Sequence, residues 1–149
     1  MLVYRLPREP STPRIALWRS LRRLGAVQVA DGVVALPADA RTTEALEWLA
    51  DEVTEAGGEA TLWTGRPTSS AQERALAARM AASVTDEYAS VLAAARESLD
   101  ETPAARRRSL ARLRRELHRI AQRDFFHQPA RGEARAAVEA LADSMEVAR

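Results

Sequence analysis

Cysteine and lysine are both absent from the 149 residues, and aromatic side chains make up only 5 % of the chain. Without cysteine there can be no disulfide, no thiolate metal site and no cysteine nucleophile, which fits a reducing compartment. Histidine is scarce too: the two residues, His118 and His127, exclude a zinc site built from His and Cys. No apolar run approaches the ~20 residues needed to span a bilayer. The N-terminus has no basic leader followed by an apolar stretch, so no signal peptide is expected. Glycine-rich phosphate loops, a nucleophile elbow and a His-Glu zinc motif are likewise missing. The expectation is a soluble, globular, cytoplasmic protein that is not an enzyme, holds no metal or cofactor and has no membrane partner. A chain of this length suits one domain, or a compact module with a helical extension.

Arginine supplies all 22 basic side chains, within an Ala- and Arg-rich composition that accounts for the missing lysine without a functional choice. Net charge is only +1, but the charges are segregated. Residues 1–26 carry six Arg against Glu9, a balance of +5; residues 27–105 carry five Arg against fourteen acids, a balance of −9. Residues 106–135 then carry ten Arg against three acids, or +7. Two basic segments flanking an acidic middle imply an anionic partner or self-complementary packing.

Leu2 to Leu6 alternates as a first strand. A helix follows, capped by Ser11 or Thr12 with Pro13 in its first turn and stopped by Gly25. Val27–Ala30 and Val33–Leu36 flank Asp31-Gly32, a hairpin signal. Thr42 or Thr43 is expected to cap a second helix reaching Ala56, before Gly57-Gly58 and a fourth strand over Ala60–Trp63. The order β-α-β-β-α-β predicts an α+β, ferredoxin-like module over residues 1–64, with helices on one sheet face and the other needing a cover. Residues 65–70 read as a linker. Ser70 to Glu73 is a capping box opening a helical region over 71–149 that packs on the module. Leu76, Met80, Val84, Tyr88, Val91, Ala95 and Leu99 keep helical spacing in its first helix. Thr102-Pro103 divides that helix from one running to about Phe126, and a last helix starts near Glu133. The C-terminal extension is therefore about three helices.

Three stripes carry chemical potential. At 100° per residue, Leu17, Trp18, Leu21 and Leu24 share one side of the first helix, while Arg19, Arg22 and Arg23 share another with Ile15. Those arginines form either a solvated face or an anion-binding face, since guanidinium offers a planar donor fork for oxyanions. Arg14, in the first turn, lies within reach of Arg5 and Arg8. In the fourth helix Leu110, Leu113, Leu117 and Ile120 form an apolar seam opposite Arg108, Arg112, Arg115, Arg119 and Arg123. Each like-charge neighbour there costs roughly 0.2–0.5 kcal/mol, weakened by solvent and salt. On the second helix Glu44, Glu47, Asp51 and Glu55 share a sector with Trp48 beside them, an interface-like composition. The Arg stripe therefore meets either these acids, within the molecule or across a dimer, or an external polyanion. His118 reads as a surface or interface residue and His127 as part of a helix end.

The runs Tyr4-Arg5-Leu6-Pro7-Arg8-Glu9-Pro10-Ser11 and Arg14 to Ala26 resemble the N-terminal domain of the chromate-resistance regulator family (ChrB type). So do Asp31-Gly32-Val33, Leu36-Pro37, Leu46-Glu47-Trp48-Leu49, Gly57-Gly58-Glu59-Ala60 and the later Arg123-Asp124-Phe125-Phe126. The resemblance implies a cytoplasmic regulator of a chromate-efflux operon that binds DNA in response to chromate. Carried over to this sequence, it points first to Arg14, Arg19 and Arg22. Longer members add a further C-terminal domain. The module is also distantly similar to the ferredoxin-like parts of phenylacetate-type repressors and small CRISPR-adaptation proteins. The latter carry an Asp ending the first strand, where this chain reads Tyr4-Arg5-Leu6, so a metal-dependent nuclease is disfavoured. Three functions follow for test: a DNA-binding regulator, a homodimeric interaction module centred on Trp48, Glu47 and Asp51, and direct handling of chromate or a similar oxyanion.

Overall fold

The computed structural model describes residues 1–146. They form an α+β chain: β1 (Leu2–Arg5), α1 (Thr12–Leu24), β2 (Val27–Ala30), β3 (Val33–Ala35), α2 (Ala40–Glu55), β4 (Glu59–Leu62), α3 (Ser70–Glu97), a 3₁₀ turn (Ser98–Asp100), α4 (Pro103–Ala121) and α5 (Ala130–Glu146). Two compact units emerge, Met1–Met80 and a second beginning at Ala81, so α3 from Ser70 to Met80 goes with the sheet.

The four strands lie in the order β2-β3-β1-β4, every neighbouring pair antiparallel. Leu2 faces Val34 on one side and Leu62 on the other, which puts these three on one sheet face. Leu2 and Val34 are buried there, Leu46, Leu49 and Val53 are the buried apolar residues of α2, and Leu17 and Leu21 those of α1. α2 packs on β1 and β4, and α1 packs beside α2. The hairpin turns at Gly32, whose φ of 71° belongs to the left-handed region that favours glycine. A β-carbon there would also collide with the Tyr4 carbonyl oxygen. Gly25, at φ 80°, ends α1, with its N–H on the Arg22 carbonyl.

Several termini depart from the sequence reading. No side-chain bond from Ser11 caps α1, although Pro13 occupies its first turn. The cap of α2 is Asp39, not Thr42 or Thr43: its carboxylate accepts from the Thr42 N–H at 2.8 Å, and the Asp39 N–H donates to the Thr42 hydroxyl oxygen at 3.2 Å. Thr42 is thus the third helical residue of a reciprocal capping box, its hydroxyl buried and donating to the Pro37 carbonyl at 2.5 Å. At α3 the capping oxygen is on Ser69, which accepts from the Gln72 N–H at 3.3 Å. Glu73 instead pairs with Arg66 at 3.5 Å.

In the second unit, Val84, Tyr88, Val91 and Ala95 of α3 pack with Leu110, Leu113 and Ile120 of α4 and Ala134, Val138 and Leu141 of α5. Leu99, read as part of this stripe, is 41 % exposed because the helix has already tightened into the 3₁₀ turn. α4 stops at Ala121, five residues before Phe126, for a local reason. The Arg123 N–H turns back to the Ile120 carbonyl, and the Asp124 carboxylate accepts from the Gln128 N–H at 3.0 and 3.1 Å. His127 takes φ 51° within this turn, and α5 then starts at Ala130, ahead of Glu133.

Candidate functional site

Helix α4 owes its form to its sequence. Pro103 fits the first turn, where no N–H is needed, and a 3-4-3 spacing of Leu and Ile buries one face. The solvent side is then left to arginine. Arg107, Arg108, Arg112, Arg114 and Arg115 are all exposed, and among the described residues none has a hydrogen-bond or ion-pair partner. Arg119 makes only an exposed 3.7 Å pair with Glu116, a contact worth a fraction of a kcal/mol. Arg114, Arg115, His118 and Arg119 line an open depression of about 570 Å³. The His118 ring nitrogen Nε2 lies 3.0 Å from the Gln122 amide nitrogen. From Arg107 to Arg119 the cations cover about 18 Å of axis at 1.5 Å per residue.

Arg123 leaves this stripe. It grips Glu87 in a two-pronged pair, Nη1–Oε1 2.9 Å and Nη2–Oε2 2.6 Å, with both side chains half-buried. Its partner lies 36 positions away in sequence, too far for a helical wheel to register. Arg106 is also withdrawn, donating to the Leu99 and Glu101 carbonyls at 2.6 and 3.1 Å. Beside Arg123, the buried Tyr88 hydroxyl donates to Asp124 at 3.3 Å. Burial, then the Asp124 charge, pushes this phenol up to about 12.

On α1 the cationic residues are more engaged. Arg14 does not turn to Arg5 or Arg8 but donates to the Pro7 carbonyl at 2.6 Å. Arg23 donates to the Ser20 hydroxyl at 3.0 Å. Arg22 lies over the Trp18 ring, 4.8 Å from its centre, an attraction of about 0.5–1 kcal/mol at an exposed site. Trp18, read with the apolar residues of α1, is instead 52 % exposed because it sits on the flank of the helix beside Arg22. Arg5, Arg8 and Arg19 are exposed without a partner among the described residues. On α2, Trp48 is 67 % exposed, and Glu44, Glu47, Asp51 and Glu55 are exposed without an ion pair among the described residues. Trp63, which the sequence reading left out of the candidate surface, is 58 % exposed at the end of β4.

The family model for Protein ChrB, N-terminal, matches residues 14–147. The chain belongs to that family. Membership associates it with chromate resistance, as the motifs around α1 and Asp31-Gly32 imply. Comparison with curated proteins and with solved structures gave no match. No group of His, Asp and Glu suited to a metal ion occurs among the described residues. Nor is any described helix long and apolar enough to cross a membrane.

Proposed function

We propose that this ChrB-type domain is a non-enzymatic, DNA-binding regulator module of chromate resistance, and that α4 is the helix that engages DNA. The β2-β3-β1-β4 order is read here as the split βαβ arrangement of a ferredoxin-like module. One observation carries the DNA reading: five arginines along one helix stand exposed with no counter-charge among the described residues. Three successive like-charge neighbours, Arg108–Arg112, Arg112–Arg115 and Arg115–Arg119, together cost roughly 0.6–1.5 kcal/mol of helix stability. A phosphate backbone converts that cost into binding, because each neutralised phosphate releases condensed counterions.

The dimensions agree with this use. A B-form major groove about 12 Å wide admits one α-helix, and the exposed side of α4 is cationic for more than three turns. Arginine on such a helix can contact phosphates and can fork onto guanine edges. Arg114, Arg115 and Arg119 beside that depression offer guanidinium donors of the kind a small tetrahedral dianion such as chromate takes, which supports an anion-binding arm of the proposal.

Fluorescence anisotropy with the DNA directly upstream of the protein's own gene tests the proposal. Saturable binding at low salt, competed poorly by unrelated DNA, is the expected result. Absence of binding to that fragment at low salt would end the DNA reading. Calorimetry with chromate, and with sulfate as control, tests the anion arm separately: heat with chromate supports it, and silence with both removes it.

A further inference from the structure

α1 and α2 pack side by side, and their solvent faces have opposite charge. Ile15, Trp18, Arg19 and Arg22 form the outer ridge of α1, and Glu44, Trp48, Asp51 and Glu55 that of α2. Both ridges keep the 3-4 spacing of a contact seam. Each is built around a large exposed ring, Trp18 at 52 % and Trp48 at 67 %, with Ile15 exposed at 47 %. Although the helices are neighbours, no ion pair among the described residues joins them. Among the described residues the acids on α2 have no ion pair, and neither does Arg19.

We propose that these two ridges form a two-fold interface between copies of this chain, α1 of one copy lying on α2 of the other. The partner is a second copy because the surface carries its own complement. In a two-fold contact, residue i meets j and j meets i, so a basic ridge adjoining an acidic one is satisfied twice by a single rotation. A basic partner would leave Arg19 and Arg22 facing like charge, and an acidic one would do the same to Glu44 and Asp51. The rings supply what the charges cannot. Tryptophan and arginine dominate the energetic centres of interfaces, and Arg22 over Trp18 already presents both as one preorganised unit. Rim charges then set orientation and partner choice. This inference stands independently of DNA binding, since it uses no residue of α4.

Sedimentation equilibrium at micromolar loading reads the result. Wild type is expected to be dimeric. Glu44→Arg/Asp51→Arg and, separately, Arg19→Glu/Arg22→Glu each place like charges across both halves of the contact and should be monomeric. An equimolar mixture of these two variants restores opposite charges in both halves, so it should dimerise again. Trp48→Ala should weaken the wild-type dimer at least tenfold, without a charge change, and it keeps the test open if a reversal variant fails to fold. Circular dichroism confirms folding, which these exposed positions should preserve. A monomeric wild type would overturn the interface. So would dimers that survive both reversals, or folded variants that stay monomeric when mixed.

Discussion

Replacing Tyr88 with Phe removes one oxygen from the centre of the second unit and should make that unit's alkaline stability readable. The Tyr88 side chain is fully buried, and its hydroxyl makes a 3.3 Å bond to Asp124. That bond is long, so its loss should cost only about 0.5–1 kcal/mol at neutral pH, or roughly 1–4 °C in melting temperature for a chain of this size. Asp124 keeps the Gln128 N–H, which limits the damage. The larger effect lies at high pH. In the unfolded chain the phenol ionises near 10, whereas in the fold burial and the Asp124 charge delay ionisation to about 12. Between these values the folded state holds a proton that the unfolded state has lost, so stability falls as pH rises. The contribution is complete below pH 10 and lost as pH rises through 12; at about 1.36 kcal/mol per pH unit it amounts to roughly 2–3 kcal/mol. Urea unfolding at a series of pH values, followed by far-ultraviolet circular dichroism, measures it. Wild type should lose stability steeply over this window, and Tyr88→Phe should lose less. Tyr4, also raised by burial and by Asp31, remains as a smaller source of slope in both proteins. Parallel loss in the two proteins would refute the assignment of the alkaline slope to Tyr88.

Three further outcomes follow from local geometry. Arg123→Ala leaves Glu87 half-buried without its two donors and should cost about 1–3 kcal/mol in chemical denaturation, while leaving DNA affinity within about twofold if Arg123 is structural. Asp39→Ala removes the carboxylate that caps α2 and should cost about 0.5–2 kcal/mol; a melting temperature equal to wild type would show the cap to be dispensable. Gly32→Ala forces a left-handed residue and a clash with the Tyr4 carbonyl, so it should destabilise by roughly 1–3 kcal/mol. Wild-type stability of that variant would mean the hairpin turns differently.

What could be read in advance was whatever nearby residues determine. The Asp31-Gly32 hairpin, the stop at Gly25 and the Leu110-Leu113-Leu117-Ile120 seam all depend on neighbours within one or two turns. Trp48 among acids on the outer side of α2 was legible from the same periodicity. Sequence and structure part where a distant partner or a competing local group decides. Asp39 displaced Thr42 as the α2 cap because both satisfy the capping preference and only the backbone path after Pro37 selects between them. α4 ends short of the expected Phe126 because its end rests on the Asp124 carboxylate claiming the Gln128 N–H, with the Tyr88 hydroxyl behind it. Arg123 shares a wheel sector with the exposed arginines, and only its approach to Glu87 separates it from them. Trp18 lies at the edge of the apolar sector, on the flank where Arg22 covers its ring and solvent reaches the rest.

The role of α4 is tested most directly by the salt dependence of DNA affinity. Each phosphate neutralised contributes about −0.9 to the slope of log affinity against log salt. Arg112→Ala/Arg115→Ala should therefore flatten that slope by roughly 2 and weaken binding to all sequences, while Arg123→Ala leaves the slope as it is. A double variant whose slope matches wild type would place the DNA contacts somewhere other than α4.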